Sequence, residues 1–201
     1  MGQDTTNYPV RIAMERHIPR GVTLVELLTV IAILALLITL GVPALEHFLQ
    51  KNRLRAAAEG LLGTLHQARA ESLVRPDPAQ RLHVSFHRHA QQPEDWCFGL
   101  RRGSPCDCRV DDTRDGMACV LEVAGEAVLR TVSSRDYPGV HLDSIAFGGH
   151  DHTLFSPERG TARAGHFSFR LRHELRVVLS ALGRARLCSP REAYLPGYPP
   201  C

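Results

Sequence analysis

From Val22 to Val42 the chain runs for 21 residues that are apolar or small throughout, except for one carboxylate, Glu26. At ~1.5 Å per residue, a helix of that length crosses a ~30 Å hydrocarbon core. The run can sit in lipid or in a bundle of like helices, and a chain of 201 residues leaves room for one modest globular core beside it. Arg11, Arg16 and Arg20 precede the run, so its basic end stays cytoplasmic and everything after Pro43 is exported. A secretory signal peptide shares this basic-then-apolar order. Three features oppose it: the length of the run, the lack of a small-x-small cleavage site after it, and Glu26 where such a peptide is most apolar.

A carboxylate at the centre of a membrane helix costs ~2.5 to 3.5 kcal/mol, and less near an interface. Such a group is retained for a partner. The nearest candidate is the amine that a cut after Gly21 would create at Val22, one helical turn before Glu26; the amine of a neighbouring copy serves equally well.

Past Pro43 the pattern stays helical but becomes one-sided. Leu54, Ala58, Leu61, Leu65, Ala68 and Ser72 recur in steps of four and three, while Lys51, Arg53, Arg55 and Arg69 point mostly elsewhere. Pro76 and Pro78 end the helix. From Arg81 the period changes to two, with strands expected over 81–87, 96–100, 117–123, 127–133, 140–147, 166–171 and 175–181. Glycine and proline punctuate them, and the tail YLPGYPPC reads as irregular. Short strands without intervening helices imply an α+β chain: a long N-terminal helix continuing into an antiparallel, sandwich-like head.

All six cysteines follow the apolar run. Outside the cytoplasm they read as a disulfide set, drawn from Cys97, Cys106, Cys108, Cys119 and Cys188, with Cys201 left unpaired. A zinc site is the competing reading, since Cys106 and Cys108 are close, but the paired C-x2-C spacing is missing. Spacing does not choose among the disulfide pairings.

The formal charge of +3 is unevenly spread. Residues 94–143 hold ten acidic and six basic side chains, and residues 157–191 hold eight arginines against two glutamates. Arg184 and Arg186 share one face of an extended segment, with Arg191 nearby, which suits phosphate oxygens; the plainer reading is a structural turn or ion pairs to the acidic middle. No aromatic ladder accompanies them. His83 and His87 on one strand stand ~13 Å apart, too far for one ion. His150 and His152, read as loop residues, are taken as solvated, so no metal is assigned. No nucleophile elbow, P-loop or zinc-protease motif is present, which argues against an enzyme, and no cofactor is implied.

Gly21-Val22-Thr23-Leu24-Val25-Glu26, followed by the long apolar helix with Pro43, resembles the prepilin signature of type IV pilins and type II secretion pseudopilins. Asn52 to Ala58 and His66 to Ser72 in the stem, Phe155 to Gly160, and Gly183-Arg184-Ala185-Arg186-Leu187-Cys188 are similar to the GspH/FimT group of minor pilins and pseudopilins. The resemblance implies a leader over 1–21 removed by prepilin peptidase between Gly21 and Val22, N-methylation of Val22, and Glu26 as the group that registers subunits in a filament. It divides the rest into a transmembrane and assembly helix over 22–43, an amphipathic helix over 44–75 packing on the head, and a periplasmic β-rich head over 76–201. The implied setting is the bacterial inner membrane, single-pass with the N-terminus cytoplasmic. The implied partners are other pilins or pseudopilins, the peptidase and an inner-membrane assembly platform, and the implied role lies in initiation or at the tip of a pilus or secretion pseudopilus. Some FimT-like pilins bind DNA through the arginine motif during natural transformation, which is one alternative; a secreted disulfide-rich domain behind a signal peptide is the other. Met14 would open a short leader, MERHIPRG, so residues 1–13 read as an over-extended start.

Overall fold

The computed structural model describes residues 21–74, 77 and 79–201. The expected leader with Arg11, Met14, Arg16 and Arg20, and the helix-ending Pro76 and Pro78, lie outside the described residues. The chain divides into two compact units, Met1–Ala44 and Leu45–Cys201.

One helix, α1, spans Leu24–Val74, with Pro43 inside it. Thr23 begins it: its carbonyl accepts the Leu27 N–H at 3.1 Å and its Oγ1 accepts the Glu26 N–H at 3.2 Å. Every residue from Val22 to Val42 is exposed, as an apolar helix is when lipid or other helices are its intended solvent. Its mean hydropathy of 2.6 and its length are enough to cross a membrane.

In the second unit α1 is one-sided. Leu54, Ala58, Leu61, Leu65, Ala68 and Ser72 are buried as their spacing predicts, and Ala57 joins them. Two four-stranded antiparallel sheets complete the core. The first has the order β5-β2-β1-β7, with β1 Leu82–Arg88, β2 Trp96–Arg102, β5 Thr131–Ser133 and β7 His152–Phe155. The second has the order β10-β9-β8-β6, with β6 His141–Ala146, β8 Gly165–Arg170, β9 Glu174–Leu179 and β10 Ala185–Cys188. A separate hairpin joins β3 Val120–Val123 to β4 Glu126–Leu129. Phe86 meets Phe167 at 4.9 Å and Trp96 meets Phe169 at 5.2 Å between ring centroids, so the sheets share one core with the helix face. The Trp96 indole N–H donates to the buried Val140 carbonyl at 2.8 Å.

The strand count differs from the seven expected. The stretch 127–133 is two strands, broken at Arg130, whose N–H turns to the Cys119 carbonyl and whose carbonyl takes the Leu100 N–H. β7 and β10 are additional: each is four residues long, too short for an alternation to stand out. His152 therefore lies on a strand and not in a loop.

The first five residues of β1 and of β2 are all buried, where period-two alternation predicted one wet face. The cause is the 103–119 loop. Disulfides Cys97–Cys108 and Cys106–Cys119 fasten it over the outer face of the sheet, and the Cys106 N–H donates to Ser85 Oγ at 2.9 Å. Gly99 is the close-approach point, because a side chain there would collide with Cys119. Cys106 and Cys108 enter different disulfides, which removes the zinc reading. Cys201 is not unpaired, as expected, but bonded to Cys188. That bridge holds a docked tail: Leu195 is fully buried, the Tyr198 hydroxyl donates to Glu59 at 3.1 Å, and Arg55 lies over the Tyr198 ring.

Candidate functional site

Thr23 and Glu26 stand at the first turn of α1, where unpaired N–H groups and the helix dipole favour an anion. Thr-x-x-Glu is a capping-box spacing, and the Thr23 half of the box is made. The role shown here is that of Thr23, which caps the helix through the Glu26 backbone N–H; the Glu26 carboxylate takes no part in that bond. That carboxylate has no ion-pair partner among the described residues. Gly21 and Val22 precede the helix in non-helical conformation and are exposed, which leaves the Gly21–Val22 bond accessible.

At the other end of the chain, three stretches singled out separately in the sequence meet. Gly183 has φ +71° and its Cα faces the Gly160 carbonyl so closely that any side chain would collide with it. Arg69 of α1 runs alongside: its Nε is 3.3 Å from where a Cβ of Gly160 would stand, and 3.4 Å from that of Gly183. The stem, the 156–160 loop and the turn before β10 are therefore locked to one another at Arg69. Gly183 is there for contact between backbones, not for a ligand.

The arginines that follow are different. Arg184 and Arg186 are exposed, and neither side chain has a hydrogen-bond or ion-pair partner among the described residues. Ion pairing to the acidic middle, the plain alternative, falls to another residue: Arg170 meets Asp143 at 3.0 Å and Glu174 at 2.9 Å. Arg186 is cross-strand from Val178, which pairs in turn with His166 on the same face. Arg191 lies beyond β10 in a short 3-10 turn, Arg191–Ala193, also exposed. Glu174 is buried, which by itself raises a carboxyl pKa, but hydrogen bonds from Ser168, Arg176 and Arg170 outweigh burial and hold it below the usual range.

The histidines form no ligand shell: among the described residues no three His, Cys, Asp or Glu side chains gather around a common point. His83 and His152 do meet, with ring centroids 5.3 Å apart, and Asp151 Oδ1 is 2.9 Å from His152 Nδ1. Burial, then the neighbouring His152, Arg163 and Arg81, push His83 down to about 4. His83 is therefore neutral in the folded head at pH 7.

A prokaryotic N-terminal methylation motif is found at residues 17–42. No curated protein and no solved structure matches the chain. The motif, on an exposed apolar helix that precedes antiparallel sheets, supports a type IV pilin-like protein: anchored in a membrane by its N-terminal helix, processed by a prepilin peptidase and assembled with other pilins as a structural subunit.

Two expectations follow for the head. Gly183→Ala combines a left-handed backbone with a collision and lowers stability by about 2 kcal/mol or more, whereas Arg184→Gln/Arg186→Gln stays within about 0.5 kcal/mol of wild type, both read from denaturant midpoints. His83 binds its proton near 6.5 when unfolded but only near 4 when folded, so its contribution to stability is full above 6.5 and is lost as pH falls toward 4. His83→Gln should flatten the denaturation midpoint across that window, and an unchanged slope would assign the loss to other groups.

Proposed function

We propose that the chain is a minor pilin or pseudopilin of the GspH/FimT group, acting in initiation or tip assembly of a type IV pilus or type II secretion pseudopilus. The observation that carries this reading is Glu26, lodged in the first turn of an exposed apolar helix, without an ion-pair partner among the described residues, and one helical turn from Val22. Cleavage between Gly21 and Val22 creates the amine that answers its charge, and methylation keeps that amine cationic. In this reading residues 1–21 are the leader, 22–43 the transmembrane and assembly helix, 44–75 the stem on the head, and 76–201 a periplasmic head. Three disulfides suit that oxidising side of the inner membrane. Assembly moves the helix over 22–43 from lipid into a bundle of like helices, so packing and Glu26 pairing, not a new hydrophobic transfer, favour it.

Intact mass of the membrane-extracted chain is expected to start at methylated Val22; a start well past Val22 would mean a signal peptide and a secreted domain instead. Glu26→Ala is expected to remain membrane-inserted but to drop out of sheared filaments. Recruitment of that variant at the wild-type level would reject the role of Glu26.

A second reading, DNA capture, is favoured by Arg184, just before β10, and Arg186, within it, both exposed and unpaired among the described residues. Fluorescence anisotropy with duplex DNA then shows salt-dependent binding, and Arg184→Gln/Arg186→Gln lowers the log–log salt slope by about 1.8, since each phosphate contact contributes roughly 0.9. No binding at low salt would dispose of this reading.

A further inference from the structure

Five residues after Val42 closes the apolar run, His47 opens a groove of about 310 Å³ formed within the second unit, between α1 and the turn joining β8 to β9. Its polar lining is His47, Gln50, Lys51, Arg172 and His173, and no carboxylate takes part. The Lys51 and Arg172 side chains have no hydrogen-bond or ion-pair partner among the described residues. Gln50 Oε1 is buried without a partner. His173 Nδ1 is 2.8 Å from the Tyr194 carbonyl; an oxygen there can only accept, so Nδ1 carries the proton and the ring is fixed with Nε2 available. On the same helix Leu45, Phe48 and Leu49 are 57%, 60% and 42% exposed.

Position and chemistry agree on an occupant. In sequence His47 follows Val42, the last residue of the apolar run, by five positions, so on the membrane-anchored reading the groove-lining residues of α1 begin just past the hydrocarbon. Helical side chains lean toward the N-terminus of their helix, so Lys51 leans back toward His47. Phe48, which lines the groove, is an exposed apolar ring. Two cations, unpaired among the described residues and without a carboxylate in the lining, ask for an anion, and the unpartnered Gln50 Oε1 beside them asks for a donor such as a hydroxyl.

We infer that this groove holds the headgroup of an anionic glycerophospholipid, with Lys51 and Arg172 on the phosphate and Gln50 on a headgroup hydroxyl. The inference rests on the membrane-anchored reading of α1. A subunit held in this way carries a headgroup until it leaves the bilayer, so that contact is broken when the stem is extracted into a filament.

The test uses the full chain, extracted in detergent, offered an equimolar mixture of phosphatidylglycerol and phosphatidylcholine, and examined by native mass spectrometry. The wild type is expected to retain phosphatidylglycerol about thirtyfold more than phosphatidylcholine, as two surface cations provide. Lys51→Gln/Arg172→Gln, with its disulfides verified by mass, should lose the preference, and Lys51→Gln alone should weaken it. Inorganic phosphate should not displace the lipid. Equal retention of the two lipids by a chain that resists alkaline extraction from membranes overturns the groove alone, as does displacement by inorganic phosphate or undiminished preference in the double variant. Release of the chain by alkaline washing would take down the anchored reading, and this inference with it.

Discussion

The head closes on a narrow face of α1 made of Leu54, Ala57, Ala58, Leu61, Leu65 and Ala68. Three leucines supply apolar area, each contributing about 1.5 to 3 kcal/mol when fully buried, and three alanines share that face in the same core cluster. Residues facing away, such as Arg53 and Ala70, are exposed. The same helix is exposed all round from Val22 to Val42. A single element therefore serves two solvents, and the change from one to the other is written as a change in the width of its apolar surface.

Two devices beyond the core stabilise the head. The 103–119 loop, held by Cys97–Cys108 and Cys106–Cys119, roofs the outer face of β1 and β2 and encloses Ser85. Burial of His83 beside His152 on that outer face gives the structure a cost at acid pH, because the ring must stay neutral. The Cys188–Cys201 bridge does the corresponding work at the C-terminus, where Leu195 fills the core and Ser189 Oγ accepts the Leu195 N–H and donates to the Glu174 carbonyl.

Much of the fold was legible. The helical face, the apolar run and most strands follow from spacing, since a period of 3.6 or 2 is a local property of the residues. Where the reading failed, a non-local cause is visible. β1 and β2 are buried on both faces because a loop crosses them, and Cys201 is paired because the tail folds back on Ser189. Gly183 and Arg69, 114 residues apart, were each noticed, but nothing in either stretch announced that they touch.

The residues alone determined that an apolar helix with one acid precedes a β-rich, cysteine-bearing head. Those properties depend on side-chain character and on intervals of a few positions. Only the folded head decided which cysteines bond, that Arg184 and Arg186 stay unpaired among the described residues, and which cationic side chains line a groove near Lys51. Such matters depend on distances between parts of the chain far apart in order, and those distances arise only when the sheets close on the stem.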